Sequence, residues 1–153
     1  SFARKNDLTQ KTTGMSYGFS LASGQERIML QKMLEKHDLG FNVFEKTQGA
    51  YFKKMSGYSF VVSPEGNGAD CHRTWEALYL ECIPIAKENY FINHFKALGL
   101  PILTIEDWNE VESFDEDFLN RRYNELKKDF NHKSLFMDYW IERILVEKQK
   151  LFI

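Results

Sequence analysis

Phe60, Val61 and Val62 form an unbroken aromatic and β-branched run inside residues 58–63. A strand with one wet face alternates apolar and polar residues, so a continuous run reads as a strand covered on both faces. The chain then turns at Pro64 to Gly68 and resumes over 73–80 with apolar residues at helical spacing. The order repeats downstream, with an apolar strand over 82–86, a helix over 90–98 and a strand over 101–105. Strands alternating with crossover helices are the pattern of a parallel sheet.

Upstream, residues 1–14 are polar and carry no period, and Tyr17 and Phe19 alternate in a short strand over 16–20. Ser23 and Glu26 make a capping box for a helix reaching about His37, with Ile28, Met29, Met33 and Leu34 on one side. Gly40 ends that helix, 41–44 supplies a second strand, and 50–55 a short helix before Gly57. Beyond Asp107 two helices, over 114–130 and 134–150, close the chain against the sheet or a missing neighbour. The expected fold is therefore α/β, a three-layer Rossmann-like parallel sheet with helices on both faces and two closing C-terminal helices. With no solenoid repeat or low-complexity tract, residues 1–153 read as a single domain.

A chain of 153 residues hides roughly 70% of the surface its unfolded form exposes, enough for a core without staples. Its 20 basic and 22 acidic residues are spread along the chain with no basic stripe, which argues against nucleic acid as a partner. The longest apolar stretch falls far short of the roughly 20 residues that cross a bilayer. No charged-then-apolar leader opens the chain, so the expectation is a soluble piece, cytoplasmic or unplaced, with no targeting or transmembrane segment. The start at Ser1 rather than Met leaves open a processed or excised part of something longer. Cys71 and Cys82 suit core positions better than a disulfide. Asp70, Cys71 and His72 are consecutive and leave a helix in different directions, so no metal site is expected.

The loop at the carboxyl end of the central strand is where ligands bind in open α/β sheets. Gly66 and Gly68 lack Cβ atoms, so backbone can approach an anion closely, and a helix start adds free amides and the positive dipole end. A diphosphate fits there. Arg73, one turn into the helix, can fork onto phosphate oxygens and stabilise the charge on a departing diphosphate, which makes it the candidate catalytic residue. Glu76 lies three residues after Arg73 and four after His72, so the three can share a side, and its two acceptor oxygens suit a ribose diol. Asp70, which also reads as the helix N-cap, and Asn67 can instead touch the sugar. The plainer alternative is a solvated Arg73–Glu76 helix pair worth a few tenths of a kcal/mol. Trp75, Leu78, Tyr79 and Trp140 read as packing, while Asp107 and Trp108 follow a strand end near which a nucleobase can lie.

The run from Phe60 to Leu78, followed by Cys82-Ile83-Pro84-Ile85, resembles the donor-domain signature of exostosin-like glycosyltransferases and related GT-B enzymes. The likeness extends through Leu100-Pro101-Ile102-Leu103 and Asp107-Trp108, and more faintly to Phe19 and Glu26-Arg27. It implies a nucleotide-sugar-binding domain in which Glu76 binds donor ribose and Arg73 and the Asn67-Gly68 loop lie at the phosphates. It further implies a nucleoside-diphosphate sugar as donor substrate, no metal in the donor site, and a glycan or other hydroxyl acceptor. Two positions depart from the pattern: Glu81 stands where such sequences usually have Gly, and Glu65 replaces a basic or neutral residue. The amino-terminal acceptor domain of such enzymes is missing here, so the isolated domain is expected to be inactive. The second reading is a non-catalytic Rossmann-like module for interaction or homo-oligomerisation, and a third makes Cys71 a nucleophile at the helix start.

Overall fold

A computed structural model describes residues 11–128 and 130–151. Five strands alternate with helices: β1 Thr12–Tyr17, α1 Gln25–Lys36, β2 Gly40–Asn42, α2 Gln48–Met55, β3 Tyr58–Val62, α3 His72–Tyr79, β4 Ile83–Lys87, α4 Tyr90–Ala97 and β5 Leu103–Ile105. Two further helices follow, α5 Glu116–Lys128 and α6 Met137–Lys150. All four strand pairs are parallel, in the order β2-β1-β3-β4-β5, with Met15 opposite Phe60 and Phe60 opposite Ile83. This is the expected doubly wound, Rossmann-like sheet, and β3 is its central strand.

Period-two alternation divides the core. Phe60 and Val62 pack with Met15, Leu30, Leu34 and Leu119 on the side of α1 and α5. Val61, between them, faces Met55, Ala77 and Cys82 on the side of α2 and α3. Leu78, Ile92 and Ile102 make a third cluster beneath α4. Because β3 is buried from Ser59 to Val62, the continuous apolar run is what two covered faces require.

Several boundaries differ from expectation. The first strand lies at 12–17, not 16–20; its hydrogen-bonded place between β2 and β3 holds the polar Thr12 and Thr13 without apolar alternation. Residues 1–10 lie outside the described residues. Gly24, not Ser23, caps α1, with φ 132° and no side-chain hydrogen bond, so the capping box at Ser23 and Glu26 is replaced. A capping box forms instead between Asp107 and Glu110, opening a 3-10 turn, Trp108–Ser113, that periodicity did not signal. Gly40 does not end α1, which stops at Lys36 with His37 as its cap. A Cβ at Gly40 would meet the Leu34 carbonyl oxygen at 2.2 Å, so close backbone approach demands glycine there. Of the closing helices, α5 buries Leu119 against the sheet, whereas α6 buries no residue at all.

Candidate functional site

In the strand order 2-1-3-4-5 the crossovers leave β1 and β3 in opposite directions, and the crevice between their carboxyl ends is the ligand position of such sheets. Two loops meet there, Gly18 to Gly24 after β1 and Ser63 to Cys71 after β3. The Ser63 hydroxyl lies 2.9 Å from that of Thr74 inside the protein, tying the end of β3 to the first turn of α3.

Two arginines join the loops. Arg27, on α1 and only 6% exposed, donates from Nε and Nη2 to the Glu65 carbonyl at 2.9 and 2.7 Å, and from Nη2 to that of Pro64 at 3.2 Å. Its Nη1 donates to the Ser20 carbonyl at 3.0 Å. Arg73 donates from Nη2 to the Gly18 carbonyl at 3.0 Å and from Nε to the Tyr51 hydroxyl at 3.2 Å, with Nη1 3.6 Å from Cys71 Sγ. Both guanidinium carbons stand near the buried Phe19 ring, 5.8 Å away for Arg27 and 5.5 Å for Arg73. Among the described residues neither arginine forms an ion pair with a carboxylate. Two positive charges therefore flank one ring with no counter-ion among the described residues, a setting that favours an anion.

The loop after β3 is held by its carbonyls. Besides those gripped by Arg27, the Ala69 carbonyl accepts from Asn89 Nδ2 at 2.8 Å, and the same nitrogen reaches Glu65 Oε1 at 2.8 Å. Asn89 Oδ1 meanwhile caps α4 by accepting from the Ile92 amide. A trans peptide points its C=O and the following N–H in opposite directions. Fixing the Pro64, Glu65 and Ala69 carbonyls thus turns the amides of Glu65, Gly66 and Asp70 away from their anchors. Among the described residues no backbone amide from Glu65 to Cys71 donates to a protein acceptor. Neither Gly66 nor Gly68 has positive φ; a Cβ at Gly68 would meet nothing within 4 Å, and one at Gly66 would approach Arg27 Nη2 only to 3.6 Å.

The structure corrects the cap at Asp70. The N-cap of α3 is Cys71, without a side-chain bond, and Asp70 Oδ2 instead accepts from Trp75 Nε1 at 3.3 Å. Arg73 is nearer to a strut than to a free fork: three of its N–H groups are engaged within the protein, leaving at most two of about five for a ligand. Glu76 is half-buried and its charge bears on Tyr51, whose phenol is pushed up by burial, with Arg73 opposing. Asn67, Gly68 and His72 are exposed. Trp75, partly buried, packs edge-on against Phe95 at 4.8 Å, the packing role expected of it.

A crevice beside the loop is lined by Ser63, Glu65, Asp70, Thr74, Lys87 and Asn89 and has room for about one water. Its rim carries the Lys87–Glu26 ion pair at 2.9 Å, and that hydrogen bond holds the Lys87 ammonium above its ordinary value. A wider cleft of about 540 Å³ runs between α1 and the Trp108 turn, with Met29, Met33 and Trp108 in its walls. Among the described residues the buried Trp108 Nε1 has no acceptor. Among the described residues no cluster of His, Cys, Asp and Glu could hold a metal ion, and no helix is long and apolar enough to cross a membrane.

No protein-family model matches the chain, and no curated protein matches it significantly. The local sequence pattern marks Arg27 only faintly and gives no sign of Asn89, or of Tyr51 as a partner of Arg73. Their acceptors are main-chain carbonyls or residues more than twenty positions away, which no local period reports.

Proposed function

We propose that this chain is the donor-binding domain of a GT-B-type glycosyltransferase, holding a nucleoside-diphosphate sugar for transfer to a hydroxyl acceptor. One observation carries the reading: at the β1/β3 switch point, the loop after β3 is fixed by its carbonyls while its amides meet no acceptor among the described residues.

In this reading the amides of Gly66, Asn67 and Gly68 receive the diphosphate, and the remaining N–H groups of Arg73 meet its outer oxygens. Glu76 takes the ribose diol, with Asp70 and His72 at the margin. During transfer the bond from the anomeric carbon to the diphosphate breaks and its electron pair leaves with the phosphate. The acceptor oxygen forms the new bond, and its proton passes to a base on the acceptor domain. Amides and guanidinium stabilise the departing charge, with no metal invoked.

The resemblance of 60–85 to exostosin-like sequences supports the chemistry, and the two arginines with no carboxylate partner among the described residues support the anion. Calorimetric titration of the chain with UDP, GDP and their sugars should give saturable binding, weakened about tenfold or more by Arg73→Ala or Glu76→Ala. Absence of saturable binding, or indifference to both substitutions, overturns the assignment and favours a non-catalytic module.

A further inference from the structure

The last helix stands apart from the rest of the fold. Among the described residues α6 is fastened at its root, where Phe136 meets Tyr79 edge-on at 6.3 Å and Trp140 Nε1 donates to the Ser134 carbonyl at 3.0 Å. From Ile141 onward every described residue of the helix is exposed. Met137, Ile144 and Leu151 are 71%, 65% and 84% exposed. A lone helix of this length is marginal in water, so its order depends on covering an apolar face.

That face has the period of a helix-pairing seam. Met137, Ile141, Ile144, Lys148 and Leu151 follow one another at alternating steps of four and three, with Leu145 beside them. Charge is distributed unequally along it. Residues 137–142 carry Asp138 and Glu142 and no base, whereas 143–151 carry Arg143, Lys148 and Lys150 against Glu147 alone. Two copies side by side in parallel would set acid against acid and base against base. Reversed, each acidic half meets the other's basic half, and a twofold axis near Ile144 satisfies both helices with the same surface.

We propose that α6 pairs antiparallel with α6 of a second copy of this chain, making a homodimer through the Met137–Leu151 seam. The pairing is independent of the donor-binding reading, because the seam shares no residue with the loop after β3 or with Arg73 and Glu76.

Sedimentation equilibrium of the full chain at up to about 100 µM should show a dimer, and Ile144→Glu should return it to monomer while leaving any nucleotide titration unchanged. Joint reversal of Asp138→Lys and Glu142→Lys should weaken dimerisation about tenfold. Adding Lys148→Glu and Lys150→Glu to that variant should restore it, because each half again faces one of opposite charge. Circular dichroism of each variant checks that the helix remains. A monomer throughout, a dimer indifferent to Ile144→Glu, or a reversal without rescue overturns the proposal.

Discussion

The guanidinium of Arg27 grips the carbonyl oxygen of Glu65 with two nitrogens, at 2.9 and 2.7 Å, across thirty-eight positions of sequence. A buried cation facing carbonyls alone is stable only while those dipoles stay aimed at it. Arg27→Ala leaves the carbonyls of Ser20, Pro64 and Glu65 short of donors and should cost about 3 kcal/mol in urea unfolding. Arg27→Lys keeps the charge but loses the fork, and should fall between. A cost below about 0.5 kcal/mol for the alanine variant, the range of an ordinary surface change, would show that the clamp does not hold the loop.

Gly68 gives the complementary test. Neither its φ nor its surroundings require glycine, so Gly68→Ala should shift unfolding by no more than about 0.5 kcal/mol. If the loop receives a diphosphate, the added methyl stands where phosphate oxygens approach, and nucleotide affinity should drop about tenfold. Unchanged affinity in the titration would remove Gly68 from the site.

The sheet was legible because its signals are local. β3 announces itself in three consecutive residues, and the loop and α3 follow within twenty positions. The clamp was not legible in the same way, since Arg27 and Asn89 act on main-chain carbonyls that every residue type carries. Asp70 misled for a related reason: a carboxylate before a helix reads as a cap, but here the Trp75 indole takes it. For α6 the period is correct and the partner is not written in it, because spacing defines a seam without saying what lies across it.

Glu81 explains one departure from the exostosin-like pattern. It follows the C-cap of α3 at φ 57°, its amide bonds to the Leu78 carbonyl, and the next amide, of Cys82, bonds to that of Ala77 at 2.9 Å. This is a Schellman closure, whose left-handed residue is most often glycine. A side chain in that conformation costs roughly 1–2 kcal/mol, partly offset by the extra freedom glycine has when unfolded. Glu81→Gly should therefore stabilise the fold by about 0.5–1 kcal/mol, read as a higher midpoint in calorimetry. A lower midpoint would mean that the glutamate side chain contributes more than its backbone strain removes.

Buried phenols and a buried thiol make the fold sensitive to alkali. Burial pushes Cys82 up from its ordinary 9.0, while the Lys11 ammonium 3.3 Å from its sulfur pulls the other way with lesser effect. Burial likewise pushes Tyr17, Tyr51 and Tyr123 up from 10.0. In each case the folded chain holds its proton more tightly than the unfolded chain. The contribution is therefore complete below the unfolded value and is lost as pH rises through the folded one. Thermal midpoints should stay level from neutral pH to about 9 and fall beyond it, more steeply above about 10 as the phenols join. Cys82→Ala lowers the midpoint overall by opening a small cavity, yet should remove the part of the decline that begins near pH 9 and leave the tyrosine part intact. Midpoints that rise above about pH 10, or a Cys82→Ala profile parallel to wild type throughout, would place the alkaline sensitivity in other groups.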